Sequence, residues 1–392
     1  MEWKGATTPL ALCNLLHDRK RLLVAVVGIG FAVLLMCMQI GFYNAMLDST
    51  VELLRELDAD LVIQSRGRYN VSLLERFPRA RLTQAMSLPE IKSATPIYIE
   101  TLLAQWKNPD SGRLQPIRAL AFPPQTPVML LPDVRRQQHL LHHPLQLLTD
   151  RKSKIEYGLS DNPIGLKTEL AEQAVEVVGT FSLGTDFAND GNVLMSDRTF
   201  AMLFGPQGSG MARLEQVDLG LIKLHPAARA KLAVIRWNLE QLLPDDVVVL
   251  TKAEIMTAER NFWLRATPIG FVFQLGTLMG FLVGMIICYQ ILYSDIDDHL
   301  REFATLKAIG YRKIYFIGLV LQQSLMLSLI GFLPGLLASM WLYERLAQQT
   351  GLLMFLTWER AILVLILTMV MCILSGCLAM RRVLNLDPAE LF

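Results

Sequence analysis

Four stretches of this 392-residue sequence contain no Asp, Glu, Lys or Arg: Leu22 to Leu47, Ala266 to Ser294, Ile314 to Tyr343 and Ala361 to Met380. Each reaches the roughly 20 apolar residues needed to cross about 30 Å of hydrocarbon, which excludes an ordinary soluble chain. Charge is scarce overall, at 19% of residues against 52% hydrophobic. The runs also lack ionisable residues at their centres. That disfavours a proton-driven carrier, because intramembrane acids and bases are what mark a proton or ion path.

Other absences narrow the chemistry. Cysteine is missing from the whole polar block 48–265, while Cys13, Cys37, Cys288, Cys372 and Cys377 lie in or beside the apolar runs. No disulfide framework is therefore expected in the block, and the cysteines read as small packing residues. There is no GxxxxGK[ST] cradle for nucleotide phosphates, no HExxH, no Ser-His-Asp elbow and no paired carboxylates with a credible pocket. No catalytic residue, metal ligand or chain-bound cofactor is expected. A net charge of +1 with no basic stripe gives no reason to expect a nucleic-acid partner.

Lys and Arg near span ends set the orientation. Lys4, Arg19, Lys20 and Arg21 precede the first run, Arg301, Lys307, Arg312 and Lys313 fill the second-to-third connection, and Arg381-Arg382 follows the fourth. These are expected on the cytoplasmic side. The predicted layout is an amphipathic N-terminal helix 1–21, span 22–47, outer block 48–265, span 266–294, cytoplasmic connection 295–313, span 314–343, short outer loop 344–360, span 361–380 and cytoplasmic tail 381–392. The first run is too long for a cleaved signal and reads as a retained anchor. The fold class is an α-helical membrane protein with four transmembrane helices, arranged one plus three, and a large mixed α/β extracytoplasmic domain between spans one and two.

Within the block, strands are predicted at Ala59 to Gln64, Pro96 to Gln105, Ile117 to Phe122, Ala174 to Leu183, Val217 to Leu224 and Asp246 to Leu250, with helices at Met46 to Leu57 and Leu224 to Leu243. Pro123 to Pro163 reads as a surface excursion because of its prolines. It contains His139, His142 and His143, which a helix would place on one face; no acid or thiol completes a metal site there, and the bland reading is a solvated helix. Helical continuity is predicted on both sides of the block. Val51, Leu53, Leu54 and Leu57 extend the first span, and Thr251-Lys-Ala-Glu254 is a capping box opening a helix through Glu259 and Trp263, kinked at Pro268 before the second span.

Two features remain. Gly276, Gly280 and Gly284 form overlapping GxxxG steps on one helical face, suited either to packing within the chain or to a seam between two copies. Between spans two and three, Leu300, Phe303, Ala304, Leu306 and Ala308 alternate with Arg301, Glu302 and Lys307 as a short amphipathic helix, and Gly310 stands where a left-handed cap would end it. An ordinary interfacial helix would look the same.

The segment Arg301-Glu-Phe-Ala-Thr-Leu-Lys-Ala-Ile-Gly-Tyr311 resembles the coupling-helix signature of the FtsX/MacB superfamily of ABC transporter permeases, and Arg381 to Glu390, with Asp387-Pro388-Ala389-Glu390, resembles its closing motif. Within it, Arg301 to Ala308 and the amphipathic Leu10 to Leu23 look most like DevC-type permeases, associated with glycolipid export. The resemblance implies a homodimer seated on two copies of an ABC ATPase that uses ATP and Mg, docked through Leu300, Arg301, Glu302, Phe303, Leu306, Lys307 and Gly310. It further implies a mechanotransmission scheme in the inner membrane with a periplasmic membrane-fusion adaptor and an outer-membrane duct, cargo being amphipathic. An FtsX-like regulator of a cell-wall hydrolase and a lipoprotein-release permease share the architecture and remain alternatives.

Overall fold

The computed structural model describes residues 19–159, 162–206, 210–266, 268–300, 305–306, 309, 311, 313–350 and 354–384. It separates into a membrane unit (1–44, 269–346 and 354–392) and an α/β unit (45–268 with 347–353).

Among the described residues, four helices are long and apolar enough to span a bilayer: α1 (Arg19–Glu56), α7 (Ile269–Asp298), α8 (Lys313–Thr350) and α9 (Trp358–Leu384). The α/β unit lies between the first and second of them in sequence, so the four-helix, one-plus-three fold class holds. α1 is unbroken from its span into the α/β unit. On the return side, the expected continuous kinked helix is replaced by two: α6 (Lys252–Ala266) ends before Pro268, which sits in a turn, and α7 begins at Ile269. Proline lacks an N–H and disfavours helical backbone in the residue before it, which breaks this helix instead of bending it.

The α/β unit is built on one 11-stranded sheet in the order β13-β1-β12-β3-β6-β10-β7-β9-β8-β4-β5, beside a two-stranded ribbon of β2 (Phe77–Pro78) and β11 (Gln216–Val217). Its strands are β1 (Leu61–Ser65), β3 (Ile91–Glu100), β4 (Gln105–Lys107), β5 (Leu114–Pro116), β6 (Arg118–Phe122), β7 (Gln146–Asp150), β8 (Lys167–Leu170), β9 (Gln173–Phe181), β10 (Asn192–Ser196), β12 (Leu219–Leu224) and β13 (Val247–Thr251). Pairs β6/β10 and β7/β9 are parallel and the other ladders antiparallel. Successive side chains point to opposite faces of a strand. Leu61, Ile63, Ala119, Ala121, Leu147, Val193 and Met195 accordingly join one core, while Val62, Leu120, Phe122, Leu148 and Leu194 join a second. Because both faces are covered, the central strands read as unbroken apolar runs without alternation.

Helices α2 (Ala80–Ala85), α4 (Asp197–Phe204) and α5 (Leu232–Leu242) bury Leu82, Phe200 and Leu239 in the first core. The end of α1, with α3 (Pro132–Gln137) and α6, contributes Leu53, Leu54, Val134 and Ile255 to the second. The two helices by which the chain enters and leaves this unit thus share one sheet face.

Two expectations for the block fail. Pro123 to Pro163 is no surface excursion, since it contains β7, paired with β9 and β10 in the middle of the sheet with Leu147 and Leu148 fully buried. The prolines flank the strand; they do not enter it. Leu224 to Leu243 is not one helix either: Leu224 ends β12, a 3₁₀ turn follows at Pro226–Lys231, and α5 begins at Leu232. Nor do the three histidines share a helical face, because Gln138–His142 is a 3₁₀ turn that His143 leaves with extended backbone. All three are exposed, and no cluster of three metal-ligating side chains occurs among the described residues.

Candidate functional site

The connection between α7 and α8 is where sequence placed the coupling residues. α7 carries its last turn to Asp298, and the Asp295 carbonyl accepts from the His299 N–H at 3.3 Å. The Asp295 carboxylate is held by Gln323 of α8, whose Nε2 donates at 3.2 Å, so the two helices are tied together just where the connection starts. Leu300 is half-buried; Thr305 and Leu306 are helical, with Leu306 also half-buried. The Ile309 N–H reaches the Thr305 carbonyl at 3.0 Å and the Tyr311 N–H reaches the Leu306 carbonyl at 3.1 Å. Arg301, Glu302, Phe303, Lys307 and Gly310 lie outside the described residues.

The end of the connection and the first turn of α8 leave apolar surface uncovered that the sequence pattern did not single out. Ile309 is 71% exposed, Ile314 77% and Tyr311 46%, with the Tyr311 and Tyr315 rings 4.8 Å apart. The available signal was local: Ile309 and Tyr311 flank the glycine and fall on no buried stripe.

The glycine face of α7 is filled from within the chain. A Cβ placed on Gly276 would meet Gln39 at 2.5 Å, one on Gly280 would meet Met36 at 3.3 Å and Leu35 at 3.4 Å, and one on Gly284 would meet Ala32 at 2.5 Å and the Met371 sulfur. Residue numbers fall along α1 as they rise along α7, so the helices run antiparallel with their backbones drawn together. Within the chain, this face packs against α1 and α9. Another close contact joins α1 to α8, where the buried Tyr343 hydroxyl donates to the Cys37 carbonyl.

In the α/β unit, the end of α1 is braced to α6. The capping box is present: the Thr251 N–H donates to Glu254 at 2.9 Å and the Glu254 N–H to the Thr251 hydroxyl at 3.2 Å. Those bonds, and Arg236, hold the Glu254 carboxyl below its ordinary range. One residue into α6, Lys252 Nζ donates to the Arg55 and Leu57 carbonyls at 2.6 and 2.7 Å, satisfying the otherwise orphaned C-terminal end of α1. Two turns on, Arg260 pairs with Asp48 at 2.7 Å. Between these polar rungs, Ile255 packs in the same core as Leu53 and Leu54.

Glu259, 3% exposed, adds a third tie: its carboxylate accepts from the Val71 N–H and from Trp263 Nε1, both at 2.8 Å. Burial pushes this carboxyl above its ordinary range, against the opposing pull of those bonds and of Arg68. The loop it grips is itself organised by the buried Arg68, which donates to the carbonyls of Asn70, Val71, Glu75 and Asp218. Asp218, fully buried, also receives Arg76 at 3.3 Å, Arg213 at 2.9 Å and the Ile99 N–H at 2.9 Å.

Comparison with known proteins bears on the membrane half. Residues 275–388 match the model of the FtsX-like permease C-terminal family, a stretch covering most of α7, the whole connection, α8, α9 and the tail. No curated protein sequence matches significantly. Among solved structures, the chain is similar to the periplasmic region of MacB from Actinobacillus actinomycetemcomitans, with 12% identity over 53% of this chain and 96% of that one and a TM-score of 0.34. It is also similar to the extracellular domain of the noncanonic ABC-type transporter YknZ from Gram-positive bacteria, with 10% identity, 49% and 99% coverage and a TM-score of 0.31.

Proposed function

We propose that this chain, whose residues 275–388 match the FtsX-like permease C-terminal family, is the membrane subunit of an ATP-driven exporter that works by mechanical transmission. The observation that carries the reading is the position of the matched segment: it takes in the connection between α7 and α8, where Ile309 and Tyr311 stand exposed. A surface of that kind suits a groove on a soluble ATPase. ATP and Mg are bound there, by the partner, and this chain is non-catalytic.

In the proposed cycle two ATPase copies close beneath a dimer of this chain in the inner membrane and displace the connection. α7 and α8 carry the displacement, and the braced pair α1 and α6 delivers it to the periplasmic α/β unit, which engages a membrane-fusion adaptor and through it an outer-membrane duct. Cargo is a glycolipid or another amphipathic molecule, in the manner of DevC-type permeases, and need not pass between the four helices.

The test is purification of the tagged chain from native membranes in mild detergent, with co-purifying proteins identified by mass spectrometry. An ATPase recovered with an adaptor supports the exporter, whereas an ATPase recovered with a cell-wall hydrolase or its activator replaces it with the regulator. Absence of any ATPase overturns both. Leu306→Asp and Ile309→Asp are expected to abolish ATPase recovery at unchanged expression.

A further inference from the structure

The loop between β1 and β2 carries an aromatic ring that the α/β unit leaves uncovered. Tyr69 is 60% exposed, and its ring stands 5.5 Å from that of Phe262 on α6. The backbone beneath it is fixed from both sides: buried Arg68 donates to the Asn70 and Val71 carbonyls, and buried Glu259 of α6 accepts from the Val71 N–H and from Trp263 Nε1. The helices give the depth of this loop. The charge-free run of α1, Leu22 to Leu47, is about 39 Å long at 1.5 Å per residue, more than the roughly 30 Å of hydrocarbon and within the roughly 40–45 Å that includes the headgroups. Asp48, the next residue, therefore stands at headgroup level, and Arg260 is paired with it. α6 runs back along α1, from Lys252 beside Leu57 to Arg260 beside Asp48, so Phe262, Trp263 and Arg265 come at or below that level, and α7 begins three residues after α6 ends.

We propose that Tyr69, with Phe262 behind it, is a membrane-interface anchor: the loop rests in the headgroup layer of the leaflet on the side of the α/β unit, and what covers the ring is phospholipid. Tyrosine and tryptophan favour that depth because the apolar ring meets acyl chains while the polar edge stays wet. Exposed Arg265, one turn along α6 from Phe262, offers a guanidinium to lipid phosphates. Another exposed aromatic of the same unit lies elsewhere. Trp237 of α5 is 61% exposed, but its neighbour Arg236 pairs with Glu254 in the first turn of α6, the end remote from the spans, and α5 packs in the other core. The anchor requires only that α1 and α7 cross the bilayer, and it stands apart from what the chain exports and which ATPase drives it.

The experiment puts p-benzoylphenylalanine in place of Tyr69 in the full chain, reconstituted in vesicles of dioleoylphosphatidylcholine, and in place of Trp237 as the comparison. On irradiation the benzophenone carbonyl adds across a nearby C–H bond, so a peptide that touches lipid gains the whole lipid mass. The expected result is a tryptic peptide 69–76 heavier by one phosphatidylcholine, with no such adduct on the peptide carrying position 237. A 69–76 peptide free of lipid, one cross-linked to a protein chain, or equal lipid labelling at both positions overturns the anchor. Tyr69→Trp gives a second reading that keeps the ring small if the label disturbs the loop: the emission it adds over the parent chain is expected to be quenched in vesicles of phosphatidylcholine brominated on its acyl chains near the headgroup. Added emission that the bromines leave intact overturns the anchor, whatever proteins co-purify with the chain.

Discussion

The two units of this chain join their elements by opposite means. In the membrane unit, helices meet where side chains are missing: the α7 glycines lie against Ala32, Met36 and Gln39. In the α/β unit, helices and loops are joined by long charged side chains reaching backbone carbonyls, Lys252 and Arg68 above all. Solvent explains the difference. Lipid tails supply no hydrophobic drive between helices, so association depends on close dispersion contact, and small residues permit it. A water-facing domain has hydrophobic burial to spare and can bury a charge wherever carbonyls and carboxylates satisfy it.

The sharpest way to break the polar side is Asp218→Asn. It leaves Arg68, Arg76 and Arg213 without their shared carboxylate; removing one partner of a buried ionic cluster costs about 3–5 kcal/mol. Loss of folded protein, read by thermal unfolding and protease resistance of the α/β unit, is the expected outcome. On the glycine side, Gly284→Ile pushes into Ala32 and Met371, and overpacking costs about 1–3 kcal/mol. Gly280→Ala, with its nearest neighbour at 3.3 Å, is expected to be tolerated. Equal melting temperatures for these two variants in detergent would remove the close-approach account.

Lys252→Met tests the brace. Two hydrogen bonds from a charged donor are lost, each worth about 1.5–3 kcal/mol at most in a fully buried setting and less at this half-buried one. The prediction is modest destabilisation with intact ATPase recovery and reduced export, separating the strut from the docking surface. The smallest effect concerns Glu259. Its carboxyl is raised in the folded state, so the fold holds that proton more tightly than the unfolded chain does, and the associated stability is present at low pH and lost as pH rises through the raised value. Glu259→Gln should flatten that dependence; an unchanged slope in pH-dependent unfolding would show that the carboxyl titrates normally.

What the sequence revealed follows the same division. The spans were legible because a bilayer tolerates no charge over 20 residues, and the capping box because both its partners lie within one turn. The polar braces were not, since Arg68 meets Asp218 across 150 positions and Glu259 meets Val71 across 188. β7 was hidden by its flanking prolines, and α4 was missed although Ser196 accepts from the Thr199 N–H as an ordinary N-cap. The exposure of Ile309 and Ile314 was not legible, because no periodicity encodes it.

The antiparallel bracing of α1 and α6 has a consequence for force. Lys252 and Arg260 grip α1 at points two turns apart, with Ile255 wedged between them, so sliding one helix along the other breaks both polar rungs and unseats the wedge at once. Shear between the two helices is therefore stiff. A pull applied to either one is shared by its neighbour, and the pair behaves as a single strut of doubled cross-section whose load ends on one face of one sheet.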